Sequence, residues 1–162
     1  MTQIYISVGS NTNREHHIRM AVLELSAAFG ELSLSSVYES EAVGFRGDAF
    51  YNMVIGARTN RSVAECVTVF KAIEDKYGRV RGGEKFCGRT LDLDLLTYDH
   101  LVCDEPVELP RAEIVENAFV LWPLAEIAPD AQHPISKLSY QTLWQHYAKA
   151  QKIWPVPFQF GQ

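Results

Sequence analysis

Cysteine is sparse in this chain, and Cys66, Cys87 and Cys103 are odd in number and far apart. They make neither a disulfide framework nor a Cys-x-x-Cys metal pair, and read as small apolar residues in a reducing compartment. Positive charge is short as well. A formal net charge of −5 argues against a general binder of nucleic acid or anionic membrane, since both need a cationic excess. No stretch approaches the ~20 apolar residues of a membrane span. The first strand-like run, Ile4-Tyr5-Ile6-Ser7-Val8, has no basic segment and apolar core ahead of it, so a cytoplasmic protein is expected. Low-complexity tracts and long charge runs are missing, which argues against disorder. No histidine cluster has metal-ligand spacing, and no Ser/His/Asp or Cys/His set stands out. His16 and His17 are expected on the exposed side of the first helix, and His133 in a loop before a proline. What remains is an ordinary globular composition, 47% hydrophobic and 22% charged over 162 residues. One domain over residues 1–162 is expected, long enough to bury a core.

Ile4, Ile6 and Val8 alternate with Tyr5 and Ser7 as a strand does. Gly9-Ser10-Asn11 breaks the run, and Thr12-Asn13-Arg14-Glu15 reads as a capping box. Ile18, Ala21, Val22, Leu25 and Phe29 follow at helical spacing as far as Gly30. Strands over Leu32–Tyr38 and Phe50–Thr59 come next, joined by a polar, glycine-containing loop through Asp48. Ser62-Val63-Ala64-Glu65 is a second capping box. It opens a helix with Val63, Cys66, Val67, Phe70 and Ile73 on its apolar face and Gly78 at its end. A loop containing Gly78, Gly82, Gly83 and Gly88 leads to a strand over Thr90–Tyr98. The order β-α-β-β-α-β predicts an α+β fold with a ferredoxin-like βαββαβ core, its helices packed on one face of an antiparallel sheet. A short segment near Phe119–Ile127, an extra C-terminal helix near Ser139–Lys149 and an extended tail over Ile153–Gln162 complete the expectation.

The chemistry is concentrated in Arg89-Thr90-Leu91-Asp92-Leu93-Asp94-Leu95-Leu96. Strand alternation sends Leu91, Leu93 and Leu95 one way and Asp92 and Asp94 the other, with the two aspartate Cα atoms ~6.5–7 Å apart. Such a pair can bind two Mg²⁺ ions or share one. Two-metal phosphoryl sites hold their ions ~3.5–4 Å apart, and oxygen-only ligands suit magnesium. A bare Asp-x-Asp can equally be a solvated face on an edge strand. Here Arg79, Arg81, Lys85 and Arg89 stand just upstream in the glycine-rich loop, and arginines beside metal-binding carboxylates are what polyphosphate transfer needs.

Other marks are weaker. Gly9-Ser10-Asn11 can cradle phosphate or simply turn the chain, and no P-loop lysine accompanies it. Glu74 sits late in the second helix, where an acid opposes the dipole, so it is either a ligand contact or half of a salt bridge. Phe50 and Asn52 share one strand face and suit a flat heterocycle, or form a core ring beside a rim amide.

With these residues the chain resembles the 6-hydroxymethyl-7,8-dihydropterin pyrophosphokinase family of folate biosynthesis over roughly residues 3–135. The resemblance rests on Gly9-Ser10-Asn11, Ser36-Val37-Tyr38, Phe50-Tyr51-Asn52, Ile73-Glu74, Gly78-Arg79-Val80-Arg81, Arg89-Thr90-Leu91-Asp92-Leu93-Asp94 and the run Phe119–Pro129. It implies one-step transfer of the β,γ-diphosphate of ATP, the co-substrate, to the pterin hydroxymethyl oxygen, releasing AMP. Asp92 and Asp94 would hold two Mg²⁺ ions and, with Arg79 and Arg89, form the catalytic set. Phe50 and Phe119 would sandwich the pterin, with Asn52 and the backbone near Ser40 and Val43 reading its edges. Glu74, Arg81, Arg89, Leu95 and Arg111 would meet the nucleotide. The partners implied are small molecules, with no nucleic acid and no membrane, acting on a monomer.

The departures from the family pattern gather on the ATP side. Phe86-Cys87-Gly88-Arg89 stands where Trp-Gly-Pro-Arg is usual, Pro110-Arg111 where Pro-His is usual, and Asn117 where an arginine is usual. Ala112 and the stretch Ser40-Glu41-Ala42 also differ. The expectation is an active, divergent member with altered nucleotide handling, in which Arg111 replaces one missing phosphate contact. A pterin-binding protein that has lost kinase activity is the alternative. An RNA-binding ferredoxin-like module is disfavoured, because acidic residues occupy the sheet face that such a module needs basic.

Overall fold

The computed structural model describes residues 1–40, 49–78, 91–149, 151–158 and 160. Along them run β1 (Thr2–Ser10), α1 (Arg14–Phe29), β2 (Ser33–Leu34), β3 (Val37–Ser40), β4 (Phe50–Thr59) and α2 (Val63–Lys76). β5 (Asp92–Tyr98), α3 (Glu113–Glu116), α4 (Ala118–Ile127), α5 (Tyr140–Gln145) and β6 (Ile153–Val156) follow. The strands form one six-stranded sheet in the order β5-β1-β4-β3-β6, with β2 also on β4. Every pairing is antiparallel.

The alternation in β1 is what builds the main core. Ile4, Ile6 and Val8 are fully buried and meet Ile18, Ala21 and Leu25 of α1 and Cys66 and Phe70 of α2. A second core lies on the other face, where Val54 and Leu96 meet Ile114, Val120, Leu121 and Leu124. Helices therefore cover both faces of the sheet, which corrects the expectation of a single helical layer. The cause is in β4. Met53, Val54 and Ile55 are all fully buried, and three consecutive apolar residues on a strand require cover on both sides.

The two helix starts differ. At α2 the Ser62 hydroxyl accepts from Glu65 N–H at 3.1 Å and Glu65 Oε1 accepts from Ser62 N–H at 2.8 Å. The Ser62 N–H first, and then its hydroxyl, hold the Glu65 carboxyl below its usual range. At α1 the expected Thr12 capping box does not form. Asn13 is the cap, in left-handed backbone at φ 45°, with no side-chain cap bond. Asparagine tolerates that region better than most residues. His17 is pulled inward instead, 8% exposed with Nδ1 2.7 Å from Thr12 O, so it does not lie on the solvent side as expected.

Other boundaries shift for local reasons. The strand expected over Leu32–Tyr38 divides into β2 and β3 because Ser35 leaves the regular ladder. Its N–H donates to Val54 O, while its hydroxyl accepts from Val54 N–H at 2.9 Å. Where a helix over Ser139–Lys149 is expected, the helical residues are Tyr140–Gln145. The expected tail supplies β6, which covers the outer edge of β3. Cys66 and Cys103 are free thiols, and burial pushes Cys66 up to about 11, in keeping with a packing role. Cys87 lies outside the described residues.

Candidate active site

Strand register assembles the site at one end of the sheet. Gly9 of β1 pairs with Asn52 on one side and with Asp92 on the other, and Ser7 pairs with Asp94. Leu91, just before β5, and Leu93 and Leu95 on it are buried in the core beneath α1 and α2. Alternation therefore puts Asp92 and Asp94 on the opposite face, half-exposed, as the sequence pattern predicts. Phe50 and Asn52 fall on that same face of β4, because Tyr51 and Met53 belong to the α1–α2 side. Carboxylates and amide thus stand in one row, separated by β1.

Asn52 is 5% exposed and its amide donates to Ser40 Oγ at 2.9 Å. Gly9 makes room for it: a Cβ at position 9 would lie 3.0 Å from Asn52 Oδ1. This is a packing reason for glycine in the Gly9-Ser10-Asn11 turn. Phe119 stands in the first turn of α4, half-buried against the second core. The sequence-predicted pterin residues Ser40, Phe50, Asn52 and Phe119 therefore all lie on the α4 side of the sheet. Val43 lies outside the described residues.

A cleft of about 410 Å³ opens at the outer edge of β5, between α2 and α3. Lys71 and Glu74 of α2, Asp92–Leu95 of β5, and Arg111 and Glu113 line it. Leu95 borders this cleft while its side chain is buried in the main core. Glu74 is 6% exposed, and its Oε2 accepts the Leu93 N–H at 2.8 Å. Its place late in α2 is compatible with a ligand contact or a salt bridge. The structure adds a third role, satisfying an edge-strand donor that burial would otherwise leave costly. Arg111 Nη2 donates to Asp94 Oδ1 at 2.9 Å, a pairing across 17 positions that no local pattern reveals. Lys71 and Glu113 join this cleft without any sequence motif that marks them. Arg79, Arg81 and Arg89, with Lys85, Phe86 and Cys87, lie outside the described residues.

The acidic pair fits magnesium by its donor set. Among the described residues no cluster of three or more His, Cys, Asp or Glu side chains is gathered for a metal. Magnesium needs only one or two carboxylates, with water and phosphate oxygens completing its shell. Asp92 and Asp94 offer oxygen donors, half-exposed, at the mouth of a cleft.

A family model described as 7,8-dihydro-6-hydroxymethylpterin-pyrophosphokinase matches residues 5–129. The chain belongs to that family. The 2-amino-4-hydroxy-6-hydroxymethyldihydropteridine pyrophosphokinase of Aquifex aeolicus is 32% identical over 138 residues, covering 83% of this chain and 86% of its own. The protein of the same name from Bacillus subtilis is 35% identical over 133 residues, 79% of each chain. The crystal structure of Plasmodium falciparum HPPK-DHPS with pterin and p-hydroxybenzoate aligns with a TM-score of 0.72 at 12% identity. That likeness concerns the fold alone. It covers 90% of this chain and 43% of the other, so this chain spans less than half of that protein. The family match takes in β1 through α4 and stops before α5 and β6. No described helix is long and apolar enough to cross a membrane.

Proposed function

We propose that this chain, acting as one domain over residues 1–162, transfers the β,γ-diphosphate of ATP to the hydroxymethyl group of 6-hydroxymethyl-7,8-dihydropterin in folate biosynthesis. The observation that carries the reading is the row Asp92–Gly9–Asn52, which sets a carboxylate pair and a buried amide two strands apart on one face. The strand order β5-β1-β4-β3 supports a ferredoxin-like core, elaborated by α3–α5 and β6. We read the protein as a cytoplasmic monomer.

The reaction forms one bond and breaks one. The hydroxymethyl oxygen bonds to the β-phosphorus, the bond from that phosphorus to the AMP oxygen breaks, and the hydroxyl proton passes to water. Catalysis of this kind is mostly positioning and charge stabilisation. Asn52, held by Ser40, reads the pterin edge, and Phe50 and Phe119 confine the ring. By the family resemblance, the Val43 backbone would read the pterin edge as well. Glu74, Leu95 and Arg111 flank the nucleotide in the β5 cleft, and Arg79, Arg81 and Arg89 contact phosphate oxygens. Asp92 and Asp94 would hold two Mg²⁺ ions, which supply charge neutralisation on the polyphosphate.

The test is AMP release from ATP, Mg²⁺ and the dihydropterin, with Asp92→Ala/Asp94→Ala as control. AMP formed by the wild type alone supports the assignment. No AMP with dihydropterin binding intact by calorimetry would instead indicate a pterin-binding protein on a kinase fold.

A further inference from the structure

The Asp94–Arg111 pair is built into the fold rather than thrown across its surface. Between Ile6↔Leu95 and Tyr5↔Thr97 the register of β1 on β5 slips by one, leaving Leu96 as the extra residue. Such a bulge bends a strand and re-aims what it carries. The Leu96 carbonyl accepts the Arg111 N–H at 3.0 Å, which fixes the Arg111 backbone beside the strand that bears Asp94. From there Nη2 reaches Asp94 Oδ1 at 2.9 Å, with the arginine side chain 26% and the aspartate 45% exposed.

The guanidinium is only partly satisfied. Its Nε is buried without a hydrogen-bond partner among the described residues, and Glu113 Oε1 stands 3.8 Å away, beyond hydrogen-bond reach. Arginine carries five donors in a rigid fork that matches phosphate oxygens as well as carboxylate. A cation placed so occupies an oxygen that a metal ion would need, and repels the metal. It also keeps unspent donors for an incoming polyphosphate.

We propose that Arg111 is an internal counter-ion that withholds Asp94 from divalent metal until nucleotide phosphates draw the guanidinium away. The proposal rests on the reading of Asp94 as a metal ligand. Metal and nucleotide then load together: the metal alone binds weakly, and the phosphates that attract Arg111 take that competing cation off Asp94 as the accompanying ion arrives. Charge is conserved throughout. On Asp94 the guanidinium gives way to a metal ion, and on Arg111 the Asp94 carboxylate gives way to phosphate oxygens while Glu113 stays nearby.

The probe is Mn²⁺, followed by its free-ion paramagnetic resonance signal on the full chain without nucleotide and then with a non-hydrolysable ATP analogue. Removing a cation that contacts a half-exposed ligand is expected to tighten Mn²⁺ alone by at least about threefold in Arg111→Ala. With the analogue present that advantage should vanish or reverse, because the phosphate contact is lost as well. Arg111→Lys, which keeps a charge, should fall between. Asp94→Asn separates the two ideas. If it abolishes Mn²⁺ binding while Arg111→Ala leaves Mn²⁺ affinity unchanged or weaker, the counter-ion proposal is overturned and the metal-site reading stands. If Asp94→Asn has no effect on Mn²⁺, the metal-site reading fails and takes the proposal with it.

Discussion

Glu74 of α2 accepts the Leu93 N–H of β5 at 2.8 Å, so a buried carboxylate grips the strand between Asp92 and Asp94. The bond satisfies an outward-facing donor on an edge strand and fixes the spacing of the acidic pair relative to the cleft. Leaving such a buried donor unpaired costs about 1–3 kcal/mol. Glu74→Ala is expected to lose that much stability in urea unfolding, and to weaken ATP binding. Glu74→Gln keeps an acceptor and should lose less than about 1 kcal/mol. Equal losses in the two variants would mean that the Leu93 bond is not what Glu74 contributes.

Gly9 and Asn52 are coupled by space. A methyl at position 9 would sit 3.0 Å from Asn52 Oδ1, and Asn52 cannot retreat freely because its amide is bonded to Ser40. A misfit of about 1.4 kcal/mol corresponds to a tenfold change in affinity. Gly9→Ala is expected to weaken dihydropterin binding by about that factor and leave ATP binding unchanged, both measured by calorimetry. A loss that fell on ATP instead would contradict the placement of Asn52 on the pterin side.

Glu126 ties α4 to the sheet from outside the cleft. Its carboxylate accepts from Ser36 N–H at 3.0 Å, Ser36 Oγ at 2.7 Å and Tyr38 Oη at 2.8 Å. Burial first, and then this carboxylate, hold the Tyr38 phenol above its ordinary range. Glu126 is exposed, so the three bonds together are expected to contribute about 2 kcal/mol rather than their buried value. Glu126→Ala should lower the urea midpoint accordingly. It should also weaken dihydropterin binding more than ATP binding, since α4 carries Phe119. A variant as stable as the wild type would dismiss this tie.

His133 gives the stability a pH dependence of known sign. It is 7% exposed, and its Nδ1 accepts from the N–H groups of Ile135 and Ser136, both at 3.2 Å. Burial lowers its pKa below the usual 6.5. The unfolded chain therefore binds this proton more readily than the folded one. The contribution is complete above about pH 6.5 and is lost as pH falls from there toward the folded pKa. In His133→Asn, whose side-chain oxygen can take the same two bonds, this part of the acid dependence should disappear. Unfolding midpoints from pH 7.5 to 5 would show it, and parallel curves for the two proteins would refute it.

Much of this protein is legible along the chain because the deciding forces are local. β4 spans the residues its composition indicates, Phe50–Thr59, and the Ser62–Glu65 box forms as spaced, since both depend on neighbours within a few positions. Period-2 alternation alone put Asp92 and Asp94 on one face of β5. The Thr12 box failed although its letters were equally good. Asn13 took the cap in a left-handed conformation, and His17 turned inward with Nδ1 on Thr12 O. Tertiary structure alone decided what lies across the strands. Gly9 stands between Asn52 and Asp92 only because β1 is flanked by β4 and β5. Glu74 meets Leu93, and Arg111 meets Asp94, because α2 and the segment before α3 pack against the same edge strand. The second helical layer follows the same rule: Val54 needed cover on its own face, but which helix would supply it depended on the course of the chain after β5. Pairings of this kind carry no spacing signal, since the chain between the partners can take any path that brings them together.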